Sequence, residues 1–452
     1  MKERKTVFFA AAAASLGGFL FGFDTAVISG AEKAIQQLFQ LDSFWHGFTI
    51  AIALIGTVIG ALSAGKPADL YGRKASLIVI ALFFCISAVG SGLANSWEMF
   101  LVFRFIGGLG IGASSVVGPM YISEISPSHL RGRLVALFQL NIVIGILVSF
   151  FSNYLFSALG EGSWRWMLGV AFFPGIIFLS LIFFIPNSPR WLVKRGRISE
   201  AREILKKIGE KNAEGEIKEI TESLRSEAGA KKEKLLSSEY KKPVAYAVLL
   251  AIFNQFSGIN AILYFSPRIF EMAGFQQGTA MLQSVSIGLT NFLFTIIAMT
   301  IIDRFGRRTL LIVGSLGMIV SLGMVSFTFF TKNFGSYNML VYLISFIAFF
   351  AFSQGAVIWV FISEIFPNKV RAKGQTLGSS THWIVATIIS WTFPFVAESP
   401  AIGGGPSFLF FALMMLLQLL FVLKYLPETK GKSLEQIERD LQAVPLEAEQ
   451  LN

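Results

Sequence analysis

Residues 121–133, YISEISPSHLRGR, return at residues 361–373 as FISEIFPNKVRAK, which sets Glu124 against Glu364 and Arg131 against Arg371, 240 positions apart. The doubling continues outward from there. ADLYGRK, with Asp69 and Arg73, returns as DRFGRR, with Asp303 and Arg307, and PNSPRWL from Pro186 finds an echo in LPETKG around Pro427. Self-similarity on this scale means that one block was duplicated. Charged motifs at equivalent loops of the two copies suit a pair of helical bundles that rock about a central site.

The remaining sequence fits such bundles in lipid. Of 452 residues, 54% are hydrophobic and 15% charged, against roughly a quarter charged in an average soluble domain, and mean hydropathy is +0.64. A bilayer core takes about 20 mostly apolar residues per helix. Twelve runs meet that need, near 6–30, 46–66, 74–94, 98–122, 134–157, 164–185, 243–266, 279–302, 309–330, 338–363, 374–396 and 405–426. The expected fold class is therefore an all-α membrane protein, with twelve transmembrane helices in two six-helix bundles. Residues 1–186 form the N-terminal bundle, 243–426 the C-terminal bundle and 427–452 a cytoplasmic tail. Between the bundles, 187–242 is polar and rich in Lys and Glu, and ISEAREILKKIGE within it spaces apolar residues as a helix does, which predicts short cytoplasmic helices. The first run carries Asp24 and is followed by no small-residue cleavage pattern, so it is retained as a helix and not removed as a signal peptide.

Placing the even-numbered turns inside leaves the outer loops with only Lys33, Arg165, Arg268 and Lys332, and sends nearly all other Lys and Arg, with both termini, to the cytoplasm. The formal charge of +10 then reads as a topology signal and not as a nucleic-acid footprint. One cysteine, Cys85, excludes a disulfide framework and argues against a zinc or iron–sulfur centre. His46 and His129 fall at a span end and in a loop, so no metal cluster is expected. No nucleophile, carboxylate pair or ligand set converges as an enzyme requires. Compact loops point to a plasma membrane of the bacterial inner-membrane kind, and the working unit is expected to be a monomer.

At these residues the chain resembles the sugar porter family of the major facilitator superfamily, along nearly its whole length. The ordered set that carries the likeness is GGFLFGFDTAVISG, GRK, FRFIGGLGIG, PNSPRWL, QFSGINAILYFSP, DRFGRR, SEIFP and PETKG. One departure is Leu70, where the superfamily usually has Arg after Asp69. It predicts a weaker salt-bridge latch in the first loop than at Asp303 and Arg304. The resemblance implies a cytoplasmic gate of ion pairs built from Arg73, Glu124, Arg131, Asp303, Arg307, Glu364 and Arg371. The plainer alternative is positive-inside anchoring, and since isolated exposed pairs contribute only about 0 to 1 kcal/mol, a gate needs several pairs acting together.

Asp24 and Arg104 are the ionisable side chains deepest inside the predicted spans. Each costs about 2.5 to 3.5 kcal/mol at a helix centre on insertion scales, so such residues pair and serve a pathway. A static pair locking helix one to helix four is the alternative. Proton-coupled sugar porters carry Asp and Arg at these two positions, so the resemblance implies proton coupling through Asp24 and Arg104, with a proton as coupling ion and no other cofactor.

A sugar is neutral, densely hydroxylated and apolar on one ring face, so its site should combine amides with aromatic platforms. Gln139, Asn254, Gln255, Asn260 and Asn291 are uncharged amides inside apolar runs, each with donors and acceptors. Asn254, Gln255 and Asn260 flank Gly258, where a helix break would let side chains converge, and Tyr264 lies one turn beyond Asn260. The resemblance implies that Phe21, Trp359 and Trp383 contact sugar, with His382 as a hydrogen-bonding neighbour where relatives often have Asn or Gln. Gly355, four residues before Trp359, removes bulk beside that ring. Asn254, where the family commonly has Gln, leaves hexose or pentose open. The function so implied is proton-coupled symport of a monosaccharide, a hexose such as glucose or galactose or the pentose xylose. The alternatives are a facilitative uniporter, a transporter-like sugar sensor, for which the tail is short, and drug/proton antiport. Trp45, Trp97 and Trp164 near outer boundaries are expected to anchor at the interface.

Overall fold

The structure is a computed structural model that describes residues 2–127, 130–210, 212–229, 235–334, 337–367, 369–399, 402–432 and 436–437. His129 and most of the tail lie outside the described residues. Among the described residues every regular element is a helix. Eleven segments are long and apolar enough to cross a membrane: Lys5–Leu38, Ser43–Ser63, Arg73–Gly92, Trp97–Ile125, Arg131–Ser157, Ser163–Phe184, Ser238–Met272, Gln277–Phe305, Arg307–Thr331, Asn338–Glu364 and Gly404–Lys424. They are the first to tenth and the twelfth of the expected spans. The eleventh, Arg371–Ala397, is an unbroken helix of 27 residues, about 40 Å long at 1.5 Å per residue. Its apolar run is diluted by Thr, Ser, His382 and two tryptophans.

Large apolar side chains such as Phe173, Phe184, Val320 and Phe327 are more than half exposed. Water would penalise each by about 1.5 to 3 kcal/mol relative to burial, and lipid does not, so the exposed faces are those of a multi-pass membrane protein. Among the described residues the expected polar linker forms three α-helices, Pro189–Lys194, Ile198–Lys207 and Ala213–Gly229, and a 3-10 turn at Ser238–Tyr240. Pro189 stands at the start of the first, and Ser188 caps it by accepting from the Trp191 N–H, an arrangement suited to a helix entry.

By contact the chain divides into two units, Met1–Ala230 with Leu263–Phe292, and Lys231–Ile262 with Leu293–Asn452. In the first, the first span packs on the fifth, the second on the fourth, and the third on the fourth and sixth. In the second, the front half of the seventh span packs on the eleventh, and the ninth on the tenth and twelfth. Three pairings of the first unit, first with fifth, third with fourth and third with sixth, thus have counterparts in the second at equivalent helices, seventh with eleventh, ninth with tenth and ninth with twelfth.

Small residues set the helix spacing. A β-carbon on Gly108 or Gly112 would stand 2.0 Å from the carbonyl oxygens of Ala53 and Thr57, and one on Gly56 or Gly60 2.4 Å from those of Phe105 and Leu109. Two small-xxx-small faces therefore bring the second and fourth spans into backbone contact. Both repeated basic turns pivot on a glycine with positive φ, Gly72 at +96° and Gly306 at +87°, a backbone state that costs other residues steric strain.

The first and seventh spans run farther than the apolar count suggested, to Leu38 and Met272. The cause is that their polar residues pair with each other: Arg268 with Glu32 and Lys33 with Glu271. Trp164 also departs from expectation. It is buried edge-on against Phe100, with the Arg165 guanidinium over its ring, while its neighbour Trp166 is exposed.

Candidate functional site

In the first unit the Asp24 Oδ1 accepts from Arg104 Nη1 at 2.6 Å, with both side chains buried. The fourth span can bring Arg104 this close because Gly107, one turn on, leaves room for Ser87. Asp24 Oδ2 is also buried and meets no hydrogen-bond donor among the described residues. The carboxylate thus has one oxygen held by a cation and one open. Tyr264 is buried within electrostatic reach of Asp24 and Arg104, and the Thr25 hydroxyl donates to the Phe21 carbonyl. The structure therefore places Tyr264 against the ion pair. Phe21 and Gln139 are half-buried and Asn291 is buried in the same unit.

In the second unit the seventh span breaks at Gly258, whose φ is +84°, and the residues around the break form a chain of amides. Asn260 Nδ2 donates to Gln255 Oε1 at 2.8 Å, Gln255 Nε2 to Asn254 Oδ1 at 3.1 Å, and Asn254 Nδ2 to the Gln354 carbonyl at 3.4 Å. Gln255 Nε2 also approaches His382, 3.0 Å from Nε2 and 3.3 Å from Nδ1. The His382 ring lies 4.8 Å from that of Trp359 and 4.9 Å from that of Trp383. Trp359 keeps 36% of its surface exposed, so an indole stands open beside a buried run of donors and acceptors. The members of this run satisfy one another, and a hydroxylated solute exchanges with these bonds at little net cost. Asn254, Gln255, Asn260, His382, Trp359 and Trp383 are thus brought together. The space at Gly355 is bounded first by Phe350, at 3.3 Å from an added β-carbon.

Sequence reading missed Gln354 and Gln418. Both are fully buried; the Gln354 amide donates to Gln418 Oε1, and Gln418 Nε2 donates to Ser315 Oγ at 3.0 Å. Together they extend the amide chain through the break at Ser353 in the tenth span. The signal was present as amides inside apolar runs, but an amide alone does not reveal which way it points.

Each repeated motif builds a matching ion cluster inside its own unit. Glu124 takes Arg73 Nη2 at 2.8 Å on one oxygen and the Ser188 hydroxyl at 2.5 Å on the other. Glu364 takes Arg307 Nη2 at 2.8 Å and the Thr429 hydroxyl at 2.6 Å. Ser188 and Thr429 come from the PNSPRWL and LPETKG echoes, which explains why those motifs accompany the glutamates. Arg131 instead donates to the Ser123 carbonyl and Arg371 to that of Phe366.

The first-loop latch is not the weaker one. Asp69 pairs with Arg73 and Lys194, each at 2.9 Å, whereas Asp303 is 82% exposed and meets Arg307 at 3.1 Å. Lys194 supplies the cation that Leu70 does not. Partial burial pushes the Asp69 carboxyl up, but the Lys194 hydrogen bond and the charges of Arg73 and Lys194 outweigh it and hold the group below the usual carboxylate range.

Residues 10–441 match the family described as "Sugar (and other) transporter". The chain is 37% identical to the D-xylose-proton symporter of Escherichia coli strain K12 over 462 residues, covering 94% of each chain. It is also 37% identical to the galactose-proton symporter of the same strain, over 97% of this chain and 95% of that one. The E. coli xylose transporter, solved in a partially occluded inward-open conformation, superposes with a TM-score of 0.84 at 34% identity, covering 95% of this chain and all of that one.

Proposed function

The chain belongs to the sugar porters of the major facilitator superfamily, and we propose that it carries a monosaccharide into the cell together with a proton, by alternating access. The observation that carries this reading is Asp24, buried, with one oxygen on Arg104 and the other open. A proton adds at the open oxygen, the bond to Arg104 weakens, and the carboxyl becomes neutral. The amide chain at Gly258 and the open Trp359 supply hydroxyl partners and an apolar platform for the sugar. The preferred cargo is a hexose such as glucose or galactose, with xylose as the alternative. The sites proposed for it also include Phe21, Gln139, Asn291 and Gly355, while Tyr264 serves by linking the sugar's arrival to the ion pair it touches.

The Glu124 and Glu364 clusters, with Arg131, Asp303 and Arg371 beside them, act as the cytoplasmic gate. Two equivalent clusters at the basic ends of the spans, one buried and one partly buried, support that role over simple anchoring. The excess of Lys and Arg on that side supports cytoplasmic termini in a bacterial inner membrane, with the protein working as a monomer.

The test is sugar-induced alkalinisation outside energy-depleted vesicles, in the wild type and in Asp24→Asn. Symport predicts a pH rise on adding the transported sugar, absent in the variant, with exchange of preloaded sugar retained. Sugar entry without proton movement in the wild type would make the protein a uniporter and the pair structural.

A further inference from the structure

A second buried ionisable cluster lies at the other end of the first unit from Arg73. Glu32 is 1% exposed and His46 fully buried. Glu32 Oε1 accepts from Arg268 Nε at 2.9 Å, while Nη2 stands 2.7 Å from Oε2 as an ion pair without a hydrogen bond to it, and Arg268 Nη2 donates to Gln36 Oε1 at 2.6 Å. His46 Nε2 stands 2.8 Å from the same Glu32 Oε2. Its N–H is not aimed along that line, and its Nδ1 meets no partner among the described residues. The ring packs edge-on against Phe265. Lys33 of the first span and Glu271 of the seventh pair with each other. Asp42, before the second span, is occupied in capping it through the Trp45 N–H.

Charge counting gives this cluster a specific property. A buried group of charges is tolerated when it sums to zero. With Arg268 docked, ionised Glu32 and neutral His46 meet that condition. With Arg268 withdrawn, Glu32 and His46 meet it only by holding one proton between them. The segment that carries Arg268 has two joints, the break at Gly258 and the non-helical Phe265 two residues before Pro267.

We propose that Glu32 and His46 form a second proton-exchange site, distinct from Asp24, at which one proton trades places with the Arg268 guanidinium. Docking of Arg268 releases the proton and closes that end of the seventh span onto the first and second. Acid on that side favours the proton and frees the segment. The inference takes the sugar-transport reading as its premise, but not its proton stoichiometry.

The experiment is equilibrium sugar exchange in proteoliposomes between external pH 5 and 8, reading the apparent KM for external sugar. Asp24→Asn is the baseline, so that Asp24 itself contributes no titration. One-proton linkage predicts a KM that varies by up to about tenfold per pH unit across the titration. His46→Gln in that background is expected to flatten the profile, and Arg268→Gln to fix KM near its low-pH value. A pH profile in either variant equal to the baseline overturns the proposal. If the wild type moves no protons with sugar, the symport reading fails, while the loss of pH dependence on His46→Gln still stands as a separate result.

Discussion

Gln255 holds three neighbours with one amide, since its oxygen accepts from Asn260 and its nitrogen serves Asn254 and the His382 ring. Gln255→Leu would keep the volume and strand three buried polar groups, each costing about 1 to 3 kcal/mol when unpaired. We expect the Kd for sugar to rise tenfold or more by this change, on the order of 1.4 kcal/mol per tenfold, in a binding assay with purified protein. Trp359→Phe keeps a platform and Trp359→Ala does not, so tryptophan-to-alanine should weaken sugar binding clearly more than the phenylalanine change; equal effects would remove Trp359 from the site. These residues were legible because an uncharged amide or a motif-placed aromatic inside an apolar run carries its own signal. Glu32 and His46 were not, because the first apolar run was ended at residue 30, before the charges that the helix goes on to bury. Their signal was Arg268, a cation beside an apolar run that needed a buried acid to satisfy it.

Among elements, the second and fourth spans were predicted from length and apolarity, yet nothing in that count fixes how closely they approach. The glycines at 56, 60, 108 and 112 do, and their four-residue spacing was readable once paired helices were known. Gly112→Ala places a methyl 2.0 Å from the Thr57 oxygen and 2.6 Å from the Ala61 nitrogen, both backbone atoms that cannot rotate away. Overpacking of this kind costs typically about 1 to 3 kcal/mol, so a lower Tm in detergent is expected, and an unchanged Tm would mean that the two helices slide freely. The Asp69 latch belongs to this scale as well. Because its carboxyl lies below the usual range in the fold, its contribution is complete above the unfolded value of about 3.9 and is lost as pH falls through the lower folded value. Asp69→Asn should therefore lower Tm by the same amount at pH 6 and pH 8. A difference that grew between those values would show that another group sets the latch's pH response.

At the scale of the molecule, duplication was the most informative thing in the sequence, because it set the two glutamates and their arginines at equivalent places of two related halves. It did not fix how far each cluster is buried, which depends on side-chain packing that the motifs do not encode. Glu124 and Arg73 are both under 9% exposed, whereas Glu364 is 25% exposed beside Arg307 at 10%. Breaking a buried pair by removing one partner costs about 3 to 5 kcal/mol, and partial exposure reduces that because solvent takes over the freed charge. Glu124→Gln should accordingly lower Tm more than Glu364→Gln. Function separates the gate from the anchor more sharply than stability does. If both clusters hold the cytoplasmic side closed, either substitution moves the resting population toward the inward-open state and raises the apparent KM for external sugar. As the clusters lie in separate units and act on one equilibrium, their effects on log KM should add to within about 0.5 kcal/mol in the double variant. If Tm falls in both and KM for external sugar moves in neither, the clusters are static struts, and closure of the cytoplasmic side rests on contacts other than the repeated glutamates.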